Sequence, residues 1–359
     1  MARASLHFSK PSVAASLVKN GGSGGNHGKS RVLILGGTGR VGGSTATALS
    51  KLCPSFQILI AGRNRERGAE LVSTLGENFE FVELNINNAK MMEAALEGVD
   101  LVVHAAGPFQ RKEKCTVLEA AISTKTAYVD VCDDTDYARR AKCFHQKAVA
   151  AGIPAITTGG IYPGVSNVMA AELVRFAQSE NAGEPERLRN LPEVRSAHEI
   201  LGVPTVSARF GTSPFFWNWG MEAIANFVPA DILRDKSKVQ TLAQLFDPFV
   251  RAIDGIAGQR VSIRVDLECS NGQCTLGLFT HKNLSVSVGY ATAAFVLSVL
   301  EGSTQHGVWF PEEPEGIAIE ARKILLERAA HGTINFVMNN RPPWMVETDP
   351  KEIGLGIYM

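Results

Sequence analysis

The sequence predicts an α/β chain in which a doubly wound parallel sheet is followed by a second, α+β domain. Three observations carry this. Between residues 31 and 160, apolar strand-like runs alternate with helical runs, the grammar of a parallel sheet covered on both faces. Those strands are near-continuous in hydrophobicity, as burial on two faces requires. After about Gly160 the alternation stops and a long helix, a period-two hairpin and a late helix take its place.

The elements follow in order. RVLIL is a strand and GGSTATALSKL a helix. FQILIAGR is the second strand, with NRERGAELVSTL as its helix. FEFVELNI and AKMMEAALEG form the third pair. DLVVHAAG and CTVLEAAIST are the fourth. AYVDVCDD is the fifth strand, TDYARRAKCFHQKAVAAG reads as one helix, and PAITTGG is the sixth strand. In the second half, SNVMAAELVRFAQ is a helix. RVSIRVDLECSNGQCTLGLFTHKN is an antiparallel hairpin, GYATAAFVLSVL a buried helix, and IAIEARKILLERAAHG an amphipathic helix ending at Gly332. The apolar run Gly289 to Leu300 is too short for a membrane span of about 20 residues. The expected divisions are 1–30 as a leader, 31–160 as the nucleotide-type domain, 161–305 as a substrate domain, and 306–359 as a segment packing back on the first domain.

The first turn carries the chemistry. Gly37-Thr38-Gly39-Arg40-Val41-Gly42 fits G-x-G-x-x-G and lies between a strand and a helix. Glycine permits the tight turn and lets the backbone approach a pyrophosphate, while the helix end offers free N–H groups and a positive dipole. This is the Rossmann-type arrangement, so Gly37, Thr38, Gly39, Arg40, Val41 and Gly42 are expected to hold a dinucleotide. The upstream SGGNHGKS ends like a P-loop, but Ser23 stands where the first glycine is required and no strand precedes it. About 20 residues past the glycines, an acid would favour a ribose 2′-hydroxyl. Gly62-Arg63-Asn64-Arg65 stands there instead: a carboxylate is absent and the guanidinium groups of Arg63 and Arg65 are present, which points to a 2′-phosphate and to NADP(H), with Arg63 and Asn64 among the expected cofactor contacts.

The fourth strand ends in His-Ala-Ala-Gly-Pro-Phe-Gln. Ala105, Ala106 and Gly107 are small enough to let a dinucleotide pass, and Pro108 and Phe109 are expected to shape the floor near its nicotinamide. His104 reads as packed rather than catalytic. Asp130, Cys132 and Asp133 end the fifth strand on the ligand-binding edge of such sheets. A carboxylate there either orients a substrate amine or caps the next helix at Asp134 or Thr135. Tyr162 is a candidate proton donor, and Arg195 and Arg209 are candidate carboxylate clamps. The expected catalytic set is therefore Tyr162, Asp130 and Arg209, with no metal. No Tyr is followed by Lys four residues on, which disfavours a short-chain dehydrogenase with that pair.

Composition bounds the partners. The 359 residues are 45% apolar and 20% charged with zero formal net charge, giving no electrostatic case for nucleic acid. A small-molecule substrate is expected and no transmembrane segment; a homodimer stays open. The first acidic residue is Glu66, and the preceding leader is basic and Ser-rich, which reads as a plastid (chloroplast) transit peptide rather than a secretory signal. The six cysteines form no C-x-x-C pair. Cys269 and Cys274 flank a turn within reach of a disulfide, with free thiols the default.

LGGTGRVGG, AGRN, AAGPF, YVDVCDD and GGIYPGVSNVMAAEL, in this order, resemble the saccharopine dehydrogenase-like oxidoreductases, in their plant plastid and bacterial branch. The likeness is dense from Arg31 to about Leu173 and resumes loosely in GVPTVSARFGTSPFFWNWG, the hairpin and GVWFPEE. It implies an NADP-type cofactor and a second domain that closes over the nicotinamide; better-known members reduce imines to amino-acid conjugates. Where such chains continue beyond PERLR into further strands, this one passes from Arg189-Asn190 to Leu191-Pro192-Glu193, which implies a second domain shortened near 190. Two functions follow: hydride transfer between NADP(H) and a small imine or carbonyl, or a non-catalytic NADP-binding scaffold or redox-responsive module.

Overall fold

The computed structural model describes residues 30–110, 112–179, 183–208, 223, 226–229, 244 and 260–339. The leader, Arg209 and most of GVPTVSARFGTSPFFWNWG lie outside the described residues.

The first sheet is parallel throughout and has the order β11–β6–β5–β4–β1–β2–β3. Its strands are β1 (Arg31–Leu35), β2 (Gln57–Gly62), β3 (Phe79–Glu83), β4 (Leu101–His104), β5 (Ala127–Asp130), β6 (Pro154–Ile156) and β11 (Gly307–Trp309). β1, β4 and β5 are buried almost end to end, which is why they read as unbroken apolar runs. Helices α1 (Arg40–Leu52), α2 (Arg65–Leu75), α3 (Ala89–Leu96) and α4 (Thr116–Thr124) make the crossovers. Two apolar clusters lie on opposite faces of the sheet, one built around Val32, Ile34 and Val103, the other around Leu33, Leu35 and Val102. The chain order reverses between β1 and β4, which opens a crevice at the carboxyl ends of those strands.

The single helix expected over 135–152 is two helices, α5 (Thr135–Lys142) and α6 (His145–Ala151). Tyr137, Ala138, Ala141 and Ala148 are all buried, so the apolar period runs through the break at Cys143 and Phe144 and hides it.

The second sheet has the order β12–β10–β9–β7–β8. Its strands are β7 (Pro185–Arg189), β8 (Thr205–Ser207), β9 (Val261–Cys269), β10 (Cys274–His281) and β12 (Asn335–Asn339). Helix α7 (Val165–Ser179) covers one face, where Met169 meets the backbone of Gly277. At the abrupt 189–191 junction, Leu191 is fully buried and its N–H donates to Ser207 O, after which α8 (Val194–Leu201) crosses over to β8. In β9, Ile263, Val265, Leu267 and Cys269 share the buried face, whereas Cys274 pairs with Glu268 and lies on the other. The two cysteines therefore point apart, and both are free thiols.

Helix α9 (Leu284–Leu300), expected within the second domain, packs instead along α1 of the first. Gly289 allows this, since a Cβ there would sit 2.6 Å from the Ser44 carbonyl carbon. β11 joins β6 and β12 joins β10, so the segment after 306 contributes to both sheets. Between them, α10 (Ile319–Ala329) packs on α9 and α7. Among the described residues no helix is long and apolar enough to cross a membrane.

Candidate functional site

The glycine loop runs from β1 into α1. Gly36 adopts φ +75°, and a Cβ on it would meet Ala105 O at 2.7 Å. Gly37 is closed off by Ile60 and Ile34 O at 2.7 and 2.9 Å, and Gly42 by the Gly36 carbonyl. Gly39 differs: it is exposed, and the nearest atom to a Cβ there is Gly36 O at 3.0 Å. Gly36, Gly37 and Gly42 thus serve the tight packing of the turn, while Gly39 leaves a surface bare. Gly39 is also the N-cap of α1, no side chain caps the helix, and its first turn has no acid. The unsatisfied N–H groups of that turn face the bare surface, a cradle suited to a phosphate anion. Arg40 is exposed at the first helical position and Val41 half-buried behind it.

Thr38 sits against the end of β2, where a Cβ on Gly62 would be 3.0 Å from its Oγ1. This brings Arg63, the next residue, beside the loop. Arg63 is exposed. Asn64 is committed to α2: its side chain accepts the Arg67 N–H at 2.8 Å as the helix N-cap. The Asn64 oxygen, expected among the cofactor contacts, is thus occupied by capping, while Arg63 and Arg65 on either side of it in the chain are exposed.

The β4 loop lies directly against the glycine loop through Ala105 and Ala106, with Gly107 and Pro108 exposed beyond them. Phe109 is buried rather than part of an open floor, and its ring meets His104 edge-on at 4.7 Å and Tyr137 at 5.2 Å. His104 is packed as expected, 2% exposed, with Nδ1 3.3 Å from the Tyr128 hydroxyl. Burial, reinforced by the Lys112 ammonium, pushes its pKa down to about 3, so the ring is neutral at physiological pH.

Asp130 corrects the sequence-based expectation. It is on the carboxyl edge but wholly buried, so it has no surface to offer a substrate. Oδ1 accepts the N–H groups of Thr158 at 2.8 Å and Cys132 at 3.0 Å and the Thr157 hydroxyl at 3.3 Å; Oδ2 accepts the Tyr128 hydroxyl at 2.9 Å. It ties the end of β5 to the turn after β6, where Thr158 has φ +63°. The helix cap is Asp134, which accepts the Tyr137 N–H at 2.7 Å.

That turn leads to the segment 160–164, where the chain leaves the first domain. Gly164 has φ +130°, its N–H donates to Asn167 Oδ1 at 3.2 Å, and a side chain on it would run into the Gly160 carbonyl. Tyr162 stands in this loop, half-buried, and burial pushes its phenol pKa up. It is a phenol, hence a proton donor, across the neutral range.

Elsewhere, α8 meets the end of β11 in a crevice lined by residues that include Thr135, Arg139, Glu193, Arg195, Ser196 and Phe310. Arg195 lies here, on the rim. Two buried carboxyls that the sequence did not single out lie here, Glu193 in the crevice lining and Glu312, which is bonded to Ser196. In the sequence GVWFPEE stands out only as a family-like segment, and an acid pair in a loop ordinarily reads as solvated.

Residues 32–156 match the family model of the saccharopine dehydrogenase NADP-binding domain. The chain matches no curated protein. Among solved structures it is similar to apo histidine-tagged saccharopine dehydrogenase (L-Glu forming) from Saccharomyces cerevisiae. That match has 12% identity and a TM-score of 0.57 over 87% of this chain and 99% of that one, a likeness of fold. Pen from Bacillus thuringiensis (19% identity, TM-score 0.31, 36% of this chain and 50% of that) is also similar. So is 3-hydroxyacyl-CoA dehydrogenase type-2 from Mycobacterium avium (20%, 0.30, 36% and 73%).

Proposed function

We propose that this chain, whose residues 32–156 match the saccharopine dehydrogenase NADP-binding domain, is an oxidoreductase that transfers a hydride between NADP(H) and a small imine or carbonyl compound. The observation that supports this most is the uncovered Gly39 cradle with Arg63 beside it, at the crevice where the sheet order reverses. The α1 N-terminus and Gly39 hold the pyrophosphate. Arg63, with Arg65 near, meets the 2′-phosphate through charge-assisted bonds. Ala105, Ala106 and Gly107 flank the dinucleotide as it crosses toward β4. NADPH supplies the hydride when bound; the chain supplies position, exclusion of water and a proton. Tyr162, in the loop where the two domains join, is the proton donor on this reading, and Arg209 a carboxylate clamp.

The test is purified protein with NADPH and a panel of imines and keto acids, followed by the absorbance of the reduced nicotinamide. Oxidation of NADPH that depends on one panel member is expected. NADPH binding with no turnover on any of them favours the NADP-binding scaffold instead. Tyr162→Phe is expected to lower kcat by about 10²–10⁴-fold, the usual worth of a placed proton donor, with the NADPH Kd unchanged. An equal loss in NADPH affinity would mean that the hydroxyl is part of the cofactor site.

A further inference from the structure

Where the second domain touches the carboxyl edge of the first, contact runs through the start of α8, and two buried carboxyls hold it. Glu193, just before α8, is 3% exposed, and the Thr135 hydroxyl at the start of α5 is 3.4 Å from both its oxygens. Glu312, after β11, is fully buried, and its Oε1 accepts the Ser196 hydroxyl of α8 at 2.5 Å. Its Oε2 has no hydrogen bond, and the fully buried Asn167 amide of α7 faces the carboxyl without reaching it.

The cations nearby are engaged elsewhere. Arg322 of α10 donates through Nη2 to the Glu312 main-chain carbonyl at 2.7 Å and through Nε to Ile317 O, and its Nη1 lies 3.6 Å from Glu172 of α7. Lys142 of α5 pairs with Glu313 at 2.7 Å. Asp134 adds a like charge beside Glu193, and Arg139, Arg195 and Glu199 flank the open crevice. A carboxylate that no cation pairs and that keeps one oxygen without a hydrogen bond is costly in a dry site, whereas a neutral carboxyl costs less.

We propose that Glu312 and Ser196 form a proton-linked latch: the start of α8 docks on the loop after β11 with Glu312 protonated, and that docking loosens when the proton is lost. This holds whether or not the hydride chemistry above is right, because it rests on the domain contact alone.

The sign follows from the environment. Burial lifts the Glu312 pKa from 4.5 to about 7, against lowering contributions from Ser196 and Asn167; burial raises that of Glu193 as well. Undocking exposes Glu312 to water and returns it toward the ordinary value. The docked form therefore binds more protons, so docking is strongest at low pH and is lost as pH rises through about 7. One such proton makes docking about tenfold stronger at pH 6 than at pH 8.

The experiment is hydrogen exchange of the full chain at pH 6 and pH 8, corrected for intrinsic rates and read on the first turn of α8 and on residues 310–313. It is paired with infrared titration of the protonated carboxyl band. Wild type is expected to lose about tenfold in protection between the two pH values and to show a band that titrates near 7. Glu312→Gln, which mimics the protonated form, should hold the pH 6 protection at both values and lack the band. Equal protection at both pH values in wild type, or a pH dependence that survives Glu312→Gln, overturns the latch. Should Glu312→Gln not fold, Ser196→Ala decides: loss of a bond that favours the charged form should move the midpoint above about 7, and an unmoved midpoint rejects the proposal.

Discussion

Gly39→Val is expected to weaken NADPH and NADH alike by on the order of a hundredfold or more, with a smaller loss in melting temperature than Gly42→Val. The reason is the inequality among the loop glycines. A side chain at 39 points to the exposed surface proposed for the pyrophosphate and makes one tight contact, its Cβ 3.0 Å from the Gly36 carbonyl oxygen. A side chain at 42 enters the protein itself, against the Gly36 carbonyl. Gly42→Val should therefore lower the melting temperature first and lose cofactor as a consequence. Titration of both cofactors beside a thermal scan separates the two. If Gly39→Val unfolds the protein, or binds NADPH as wild type does, the division of labour among these glycines is wrong.

Asp130→Ala is expected to be the most destabilising single change at the site, by about 3–5 kcal/mol. It leaves the Thr158 and Cys132 N–H groups without their acceptor in a fully buried place and takes one partner from the Tyr128 hydroxyl, which keeps His104 Nδ1 at 3.3 Å. Asp130→Asn retains an acceptor for the two N–H groups and should cost less, about 1–2 kcal/mol. Denaturant unfolding of the three proteins checks this. An Asp130→Ala midpoint equal to wild type would mean that the carboxylate is not the tie between β5 and the turn after β6, and would reopen a direct role at the substrate.

Asp130 also shows where sequence reasoning stops. The end of a fifth parallel strand is a ligand-binding edge, so the position was legible. Whether the side chain faces the crevice or turns inward depends on the Thr157–Gly159 turn folding back onto it, a contact 27 and 28 residues away that no local pattern encodes. The glycine loop and Arg63 were legible because their chemistry is local: spacing, strand before, helix after. Helix α9 was legible as a buried helix, but it is buried nearly all round, so it has no polar stripe to say which domain it joins. The decisive feature is Gly289 against Ser44, a match between two surfaces far apart in sequence. Glu312 is the same case: β11, α7, α8 and α10 close around it, and only the assembled fold makes that acid a buried one.

We propose that the NADP(H) site takes its cofactor preference from the end of β2. Both cofactors carry the pyrophosphate, so the cradle cannot choose between them; the 2′-phosphate and Arg63 can. A charge-assisted hydrogen bond of roughly 1.5–3 kcal/mol gives a preference on the order of ten- to a hundredfold. Arg65 shares the neighbourhood, so Arg63→Ala should erase much of that ratio rather than all of it. The measurement is calorimetric titration of NADPH and NADH into wild type and Arg63→Ala. The account predicts tighter NADPH binding in wild type and a ratio that collapses toward one in the variant, with NADH affinity little changed. Equal affinities in wild type, or a ratio untouched by the substitution, would contradict it.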